Sequence, residues 1–440
     1  MKASSVVVWG CLLLTALTAS AVTPLREAQI ADGVLKWADS GEEVALLGVN
    51  YHAPFTWDYA NVRRAGLRHE DVIETDIAHL RRLGIDYVRM HAFDTQFTDR
   101  EGNIVETDHL RLMDHLIARL AANGLYAVLT PIAWWNASAK GADGFSRHWK
   151  MTEMVSNREA RLAQCRYLKQ FAERVNRYTG RRYADEPAIL AFELINEPKY
   201  PANWPDAEVT AYIDELAAAL RSSGTRKPVF YSEWQKRSAA VQASSADGAT
   251  DSSYPTGLDS GRRRAGRLIE SIVPLEMAIP GKLRMVYEFD AADTSDPSLY
   301  PAFAFAFRAS DVQLAAQFQY DLLPLASSNL SWRTHYLNLV YTPARAMSLA
   351  IGREAMHRVR RGTPYNLADR KLECPPFGID GEKGTAVMAD AESYLSVGAV
   401  SVQAPDPSRL RRVWGCGSSP LVTSTGNGCY FFDKVLDGVW

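Results

Sequence analysis

The stretch Ile189-Leu190-Ala191-Phe192-Glu193-Leu194-Ile195-Asn196-Glu197-Pro198 is a short, nearly continuous apolar run that ends in polar residues. A strand apolar on both faces belongs to a parallel sheet covered by helices on each side. Outward from it the same unit repeats. Residues 44–49 read as a strand, and Ile73, Ile77 and Leu80 as the buried stripe of a helix closed by Gly84. Residues 87–91 are the next strand. Leu110, Met113, Ile117 and Leu120 mark a helix capped by Thr107 or Asp108 and stopped by Gly124. Residues 126–132 lead to a helix over 161–175, and 189–195 lead to one carrying Val209, Ile213, Leu216 and Leu220. Residues 229–231, a weak segment ending at Ser252-Ser253-Tyr254, residues 284–287 and residues 314–318 bring the strands to eight. The expected fold is α/β, a (β/α)8 TIM barrel over residues 35–350. No GxGxxG or GxxxxGK[ST] follows any strand, which argues against a doubly wound nucleotide-binding sheet.

Both ends differ from this pattern. Lys2 precedes an apolar run over residues 6–17 that is too short to span a bilayer, and Ala19-Ser20-Ala21 fits a small-x-small cleavage site. Residues 1–21 therefore read as a signal peptide, and the protein as secreted or periplasmic. From 355 to 440 short alternating segments with Gly, Pro and Ser turns predict a small all-β domain. In an oxidising compartment Cys416 and Cys429, which flank turn signals, are candidates for a disulfide across a C-terminal hairpin. Cys165, in register with Leu162, Leu168 and Val175 on one helical face, reads as a buried core thiol.

Composition narrows the partners. The 49 Lys and Arg against 51 Asp and Glu leave a net charge of −2, with no field to attract nucleic acid or anionic lipid. Aromatics are 10 % with 11 Trp, whose flat apolar faces suit uncharged, CH-rich ligands such as sugars. No CxxC pair or His/Cys cluster suggests a metal, so no cofactor is expected. Arg262-Arg263-Arg264 reads as a solvated surface run.

Barrel chemistry sits at the C-terminal ends of the strands. There the second strand ends in Arg89-Met90-His91, the third in Trp134-Trp135, the fourth in Asn196-Glu197-Pro198 and the seventh in Glu288-Phe289-Asp290. Glycosidic cleavage needs two carboxyl groups, one to give a proton and one to attack the anomeric carbon. Glu197 and Glu288 supply such a pair. Arg89 is the cation best placed to hold Glu288 ionised, Glu193 is a candidate buried partner for Arg89, and Tyr254 can orient the nucleophile through its hydroxyl. Asn196 can bond the substrate 2-hydroxyl, His91 is a candidate substrate contact, and Trp134 and Trp135 a candidate stacking platform. Glu233, ending strand five, is the rival nucleophile.

Phe192-Glu193-Leu194-Ile195-Asn196-Glu197-Pro198, Gly48-Val49-Asn50-Tyr51, Tyr87-Val88-Arg89 and Val286-Tyr287-Glu288-Phe289-Asp290 occur in the order found in the clan A glycoside hydrolases, which the chain resembles. The resemblance covers about residues 40–345 and points within the clan to family 5. It implies that Glu197 is the general acid/base and Glu288 the nucleophile. That family usually has a His ending strand three, His-x-Tyr on strand six and Trp on strand eight. This chain has Trp134, Ser252-Ser253-Tyr254 and Gln319-Tyr320 there, which makes Tyr320 a further candidate substrate contact. The expected function is a secreted retaining glycoside hydrolase that cleaves β-glycosidic bonds of an oligo- or polysaccharide by double displacement. The alternative is a non-catalytic carbohydrate-binding barrel.

Overall fold

The structure, a computed structural model, describes residues 24–133, 143–232, 234–257, 268–276, 279–292, 294–328 and 335–435. The expected signal segment, Trp134, Trp135, Glu233 and the arginine run 262–264 lie outside the described residues.

An antiparallel hairpin, β1 (Ala28–Ala31) and β2 (Val34–Trp37), comes first. Eight strands then close a parallel barrel: β3 (Leu46–Asn50), β4 (Tyr87–His91), β5 (Tyr126–Thr130), β6 (Ile189–Glu193), β7 (Val229–Ser232), β8 (Gly248–Ser253), β9 (Leu283–Phe289) and β10 (Leu314–Gln317). β10 pairs with both β9 and β3, which completes the ring. The eight strands expected from the apolar runs are these eight.

Side-chain alternation sorts each strand into two layers. Leu46, Tyr87, Tyr126, Val128, Phe230, Leu283, Met285 and Leu314 fill the lower interior, and Leu35 and Trp37 of the hairpin plug it from below. The side-chain amide of Gln313 ties the plug to the barrel through the backbone N–H and C=O of Leu35. The opposite parity, including Val49, Val88, Leu129 and Val286, packs outward against the helices. Gly48 faces the interior where β3 meets the Tyr87 carbonyl and ring, and a Cβ there would lie 2.4 Å from the carbonyl oxygen. Only glycine fits that approach.

The helices largely follow the expected stripes. His69–Arg82 buries Ile73, Ile77 and Leu80; Asp108–Ala122 is capped by Thr107, whose hydroxyl accepts from the Leu110 N–H; Asp206–Arg221 buries Val209, Ile213, Leu216 and Leu220. The helix Arg158–Glu173 corrects the sequence reading. Asn157 caps it, and it buries Ala160, Ala163, Gln164, Tyr167, Leu168 and Phe171, whereas Leu162 and Val175 are exposed. The buried face mixes small residues and a hydrogen-bonded glutamine with Tyr167, Leu168 and Phe171, so of the expected stripe only Leu168 points inward. Cys165 is only half-buried, its thiol 3.8 Å from the Glu215 carbonyl.

After the helix Pro343–Arg358 the chain builds a second sheet: β11 (Lys371–Cys374), β12 (Phe377–Asp380), β13 (Thr385–Ala389), β14 (Ser393–Val397), β15 (Arg412–Cys416) and β16 (Cys429–Asp433). Its order follows the sequence, antiparallel throughout except for the parallel β14–β15 pair. The sheet lies against the barrel. Helix 343–358 packs on β13, β14 and β15, Glu354 pairs with Arg412 at 2.9 Å, and Arg82 pairs with Asp433 at 2.7 Å. Cys416 and Cys429 stand directly opposite each other as free thiols.

Candidate active site

Arg89 is the hub of the upper barrel. It sits on the inward parity of β4 and is fully buried. Its Nε donates to Glu193 Oε2 at 2.7 Å, Nη1 to Asn50 Oδ1 and to Glu288 Oε1 at 3.0 Å each, and Nη2 to Asn196 Oδ1 at 2.7 Å. One guanidinium thus binds the ends of β3, β6 and β9. Its planar fork of donors suits this, where a lysine would reach one partner. Glu193 is satisfied in turn by the hydroxyls of Thr130 and Thr250, at 2.7 and 2.8 Å. A buried charge that is paired and fully hydrogen-bonded avoids the desolvation cost of an isolated one.

The two candidate catalytic carboxyls lie in different settings. Glu288 accepts from Arg89 at Oε1 and from the Tyr254 hydroxyl at Oε2, 2.8 Å away. Glu197 Oε1 accepts from the Tyr287 hydroxyl at 2.5 Å. Burial is the main force on both and raises each carboxyl above the usual range. For Glu288 the negative charge of Glu197 adds to that rise, and Arg89 and Tyr254 oppose it. A cation and a hydroxyl on separate oxygens favour the ionised form of Glu288. Glu197 has one hydroxyl donor, Tyr287, among the described residues, and the two carboxyls titrate as a coupled pair.

Glu197 follows β6 at a backbone φ of +46°, in the left-handed region that side-chain-bearing residues rarely occupy. Its N–H donates to the Ser232 hydroxyl at 3.2 Å, and Asn196 N–H donates to the Ile132 carbonyl. Next to it the indole N–H of Trp234 donates to the Pro198 carbonyl at 2.7 Å. These contacts hold the carboxyl at the barrel mouth.

His91 ends β4 with Nε2 3.7 Å from Glu288 Oε1. Its ring lies 4.4 Å from that of His52, which in turn is 4.4 Å from Trp57. Burial, then the nearby Arg89, lowers both imidazoles, His52 to about 3. Both rings are therefore neutral at ordinary pH.

Of the residues expected at the site, Glu197, Glu288, Arg89, Asn196, His91 and Tyr254 converge, and Glu193 is the buried partner of Arg89. Trp134 lies outside the described residues. Tyr320 is a correction. It is fully buried against the Tyr51 ring, and its hydroxyl accepts from the Leu339 N–H beside His79 of helix 69–82. It belongs to the layer between barrel and helix, not to the mouth. Sequence reasoning gave no role to Asn50, His52 or Tyr287. The available signal was parity: Asn50 and His52 continue the inward set begun by Gly48, and Tyr287 continues that of Met285.

Two glutamates at strand ends, one of them held by a buried arginine, at the C-terminal mouth of a (β/α)8 barrel define a glycoside hydrolase barrel. Comparison with known proteins agrees. The family model described as Cellulase (glycosyl hydrolase family 5) matches residues 38–262. The chain belongs to glycosyl hydrolase family 5. Among curated relatives, a putative mannan endo-1,4-beta-mannosidase 9 of Oryza sativa subsp. japonica is 29 % identical over 122 residues, 25 % of this chain and 28 % of that protein. Mannan endo-1,4-beta-mannosidase 8 of the same plant is 42 % identical over 60 residues, 13 % of this chain and 16 % of that protein. The chain thus matches under a third of the length of these relatives. Among solved structures, the endo-1,4-beta-mannanase of Rhizomucor miehei superposes with a TM-score of 0.58 at 16 % identity, covering 76 % of this chain and 99 % of that one. An exo-beta-1,4-mannosidase from Opitutaceae bacterium strain TAV5 gives 0.54 at 13 % identity, covering 75 % and 62 %.

Proposed function

We propose that the chain is a retaining β-glycosidase acting by double displacement on β-1,4-linked mannan-type oligo- or polysaccharide. Glu288 attacks the anomeric carbon while Glu197 protonates the departing oxygen, which leaves a glycosyl-enzyme. Glu197, now ionised, draws a proton from water, and the water displaces Glu288 with a second inversion. Asn196, whose Oδ1 is engaged by Arg89, has its amide N–H groups for the substrate 2-hydroxyl. The observation that carries this reading is the unequal setting of the two carboxyls, with Arg89 and Tyr254 donating to Glu288 and Tyr287 to Glu197. The mannan-type substrate rests on what the relatives are named for.

The test is the first-formed product from an aryl β-mannoside, followed by NMR. A β-anomer is expected, and an α-anomer would refute double displacement. Glu288→Gly should be inactive yet yield an α-azide product when azide is supplied with an activated β-glycoside. Measurable glycan binding with no turnover on any β-glycan would favour a carbohydrate-binding barrel instead. The amino-terminal pattern further supports export with cleavage near Val22, and a purified exported protein that still begins at Met1 would contradict that.

A further inference from the structure

Next to Tyr254, the hydroxyl donor to Glu288, lies a buried charged network that the double displacement does not use. His335, on the chain between β10 and the helix Pro343–Arg358, is fully buried. Its ring centroid is 5.1 Å from that of Tyr254, and the Phe318 ring meets it edge-on at 6.1 Å. The Nδ1 atom of His335 lies 3.0 Å from Asp290 Oδ2. Asp290 stands two residues past Glu288, at the end of β9, and its other oxygen accepts from Arg345 Nη2 at 2.6 Å and from the Tyr300 hydroxyl at 3.0 Å. Arg345 is fixed in turn, since its Nη1 donates to the Thr294 carbonyl at 2.7 Å. A carboxylate held by a guanidinium only accepts, so the proton between His335 and Asp290 sits on Nδ1 and the imidazole has one orientation. A buried ion pair is a poor source of net stability, because desolvation offsets much of the Coulomb gain. What this one supplies is geometry: a side chain of the last helix and a carboxylate at the end of β9 together hold an imidazole against the Tyr254 ring.

We propose that His335 is a positioning residue: fixed by Asp290 and Arg345, its ring sets the Tyr254 ring so that the phenol hydroxyl stays on Glu288 Oε2. The inference rests on the glycosidase reading above. The hydroxyl stands at the far end of the Tyr254 side chain, so its hydrogen bond is only as well aimed as the ring is held. The groups facing Glu288 are Arg89 and His91 of β4, Glu193 and Glu197 from β6 and the residues after it, Tyr254, and Tyr287 of β9 itself. Tyr254 is the member in ring contact with His335. Its hydrogen bond favours ionised Glu288, so loosening that bond raises the carboxyl and moves the acid limb of kcat/KM to higher pH. The helix that seats the C-terminal sheet is thereby linked to the nucleophile, through Arg345, Asp290, His335 and Tyr254 in turn.

The test uses the full chain and an activated aryl β-glycoside that it hydrolyses. His335→Leu fills the site without a ring and leaves Asp290 its two donors, Arg345 and Tyr300. It should move the acid limb of kcat/KM upward by about half a pH unit or more and lower kcat by about ten-fold with KM little changed, because a misplaced reacting group costs rate rather than binding. His335→Phe keeps a ring against Tyr254 but loses the bond to Asp290, and should show a smaller shift of the same sign. Tyr254→Phe should also move the limb upward. Adding His335→Leu to it should move the limb no further, because the hydrogen bond through which His335 acts is already gone. A merely structural residue would lower the melting temperature and leave the limb in place. An unmoved limb in whichever of the two His335 variants folds, or a shift that adds in full to that of Tyr254→Phe, overturns the proposal. Absence of turnover by the parent chain on every aryl β-glycoside removes the glycosidase reading and this inference with it, whereas an active parent beside unshifted variants removes the inference alone.

Discussion

In the proposed mechanism a single proton separates the roles of Glu197 and Glu288, and the two can be distinguished by what each leaving group requires. Glu197→Ala should cost several orders of magnitude on substrates with poor leaving groups. Activated aryl glycosides need no proton, so they should keep a fast first step and stall in hydrolysis. Equal losses on both substrates would reassign the acid. The pH profile carries the same information. On the proposed double displacement, turnover needs Glu288 ionised and Glu197 protonated, so acid removes the first condition and alkali the second. Burial raises both carboxyls, and both limbs of kcat/KM should lie at higher pH than two exposed carboxyls would give. In Glu197→Ala with an activated substrate the alkaline limb should vanish. At this scale the sequence was most informative where a polar side chain ended an apolar strand, as for Glu197, Glu288, Arg89 and Tyr254. It misled at Tyr320, which the chain beyond β10 carries into the outer layer. His52 lies past the end of its strand, where only the inward parity begun by Gly48 marks it.

Elements were legible in proportion to how strongly burial dictates their composition. Barrel strands are covered on both faces, and their unbroken apolar runs could be read directly. The helix Arg158–Glu173 was harder, since the first half of its buried face is Ala160, Ala163 and Gln164, with large residues only at Tyr167, Leu168 and Phe171, while Leu162 points outward. Such a stripe depends on tertiary context rather than hydrophobicity. The hairpin of β15 and β16 was foreshadowed by its turn residues and cysteines. Directly opposed residues in an antiparallel pair have Cα atoms ~4.5–5.5 Å apart, within the span of a disulfide. Mild oxidation with a disulfide reagent should therefore join Cys416 and Cys429. Closing the 12-residue loop between them should stabilise the sheet by ~3 kcal/mol at most. Peptide mapping under non-reducing conditions that recovers both thiols free after such treatment would count against it.

At the scale of the whole molecule the barrel and the C-terminal sheet share the helix Pro343–Arg358. It buries Arg345 to Gly352 and Glu354 to Met356, with helix 299–309 and β3 on one side and β13 to β15 on the other. Burial nearly all round explains why its sequence shows no amphipathic stripe and why a division near 350–355 looked natural from composition alone. Truncation after Arg358 should leave a wide apolar surface exposed, and the shortened chain should accumulate in the insoluble fraction. A soluble, cooperatively melting, active fragment would show the sheet to be dispensable. For anyone recombining such enzymes, the shared helix sets the unit of exchange. A graft that moves the sheet onto a foreign barrel at residue 360 would bring a lid without its seat, whereas one cut before Pro343 would carry the helix with it and deprive the donor barrel of its eighth outer wall. Lineages that keep this sheet should therefore inherit it jointly with the barrel's last helix rather than acquire it as a loose appendage.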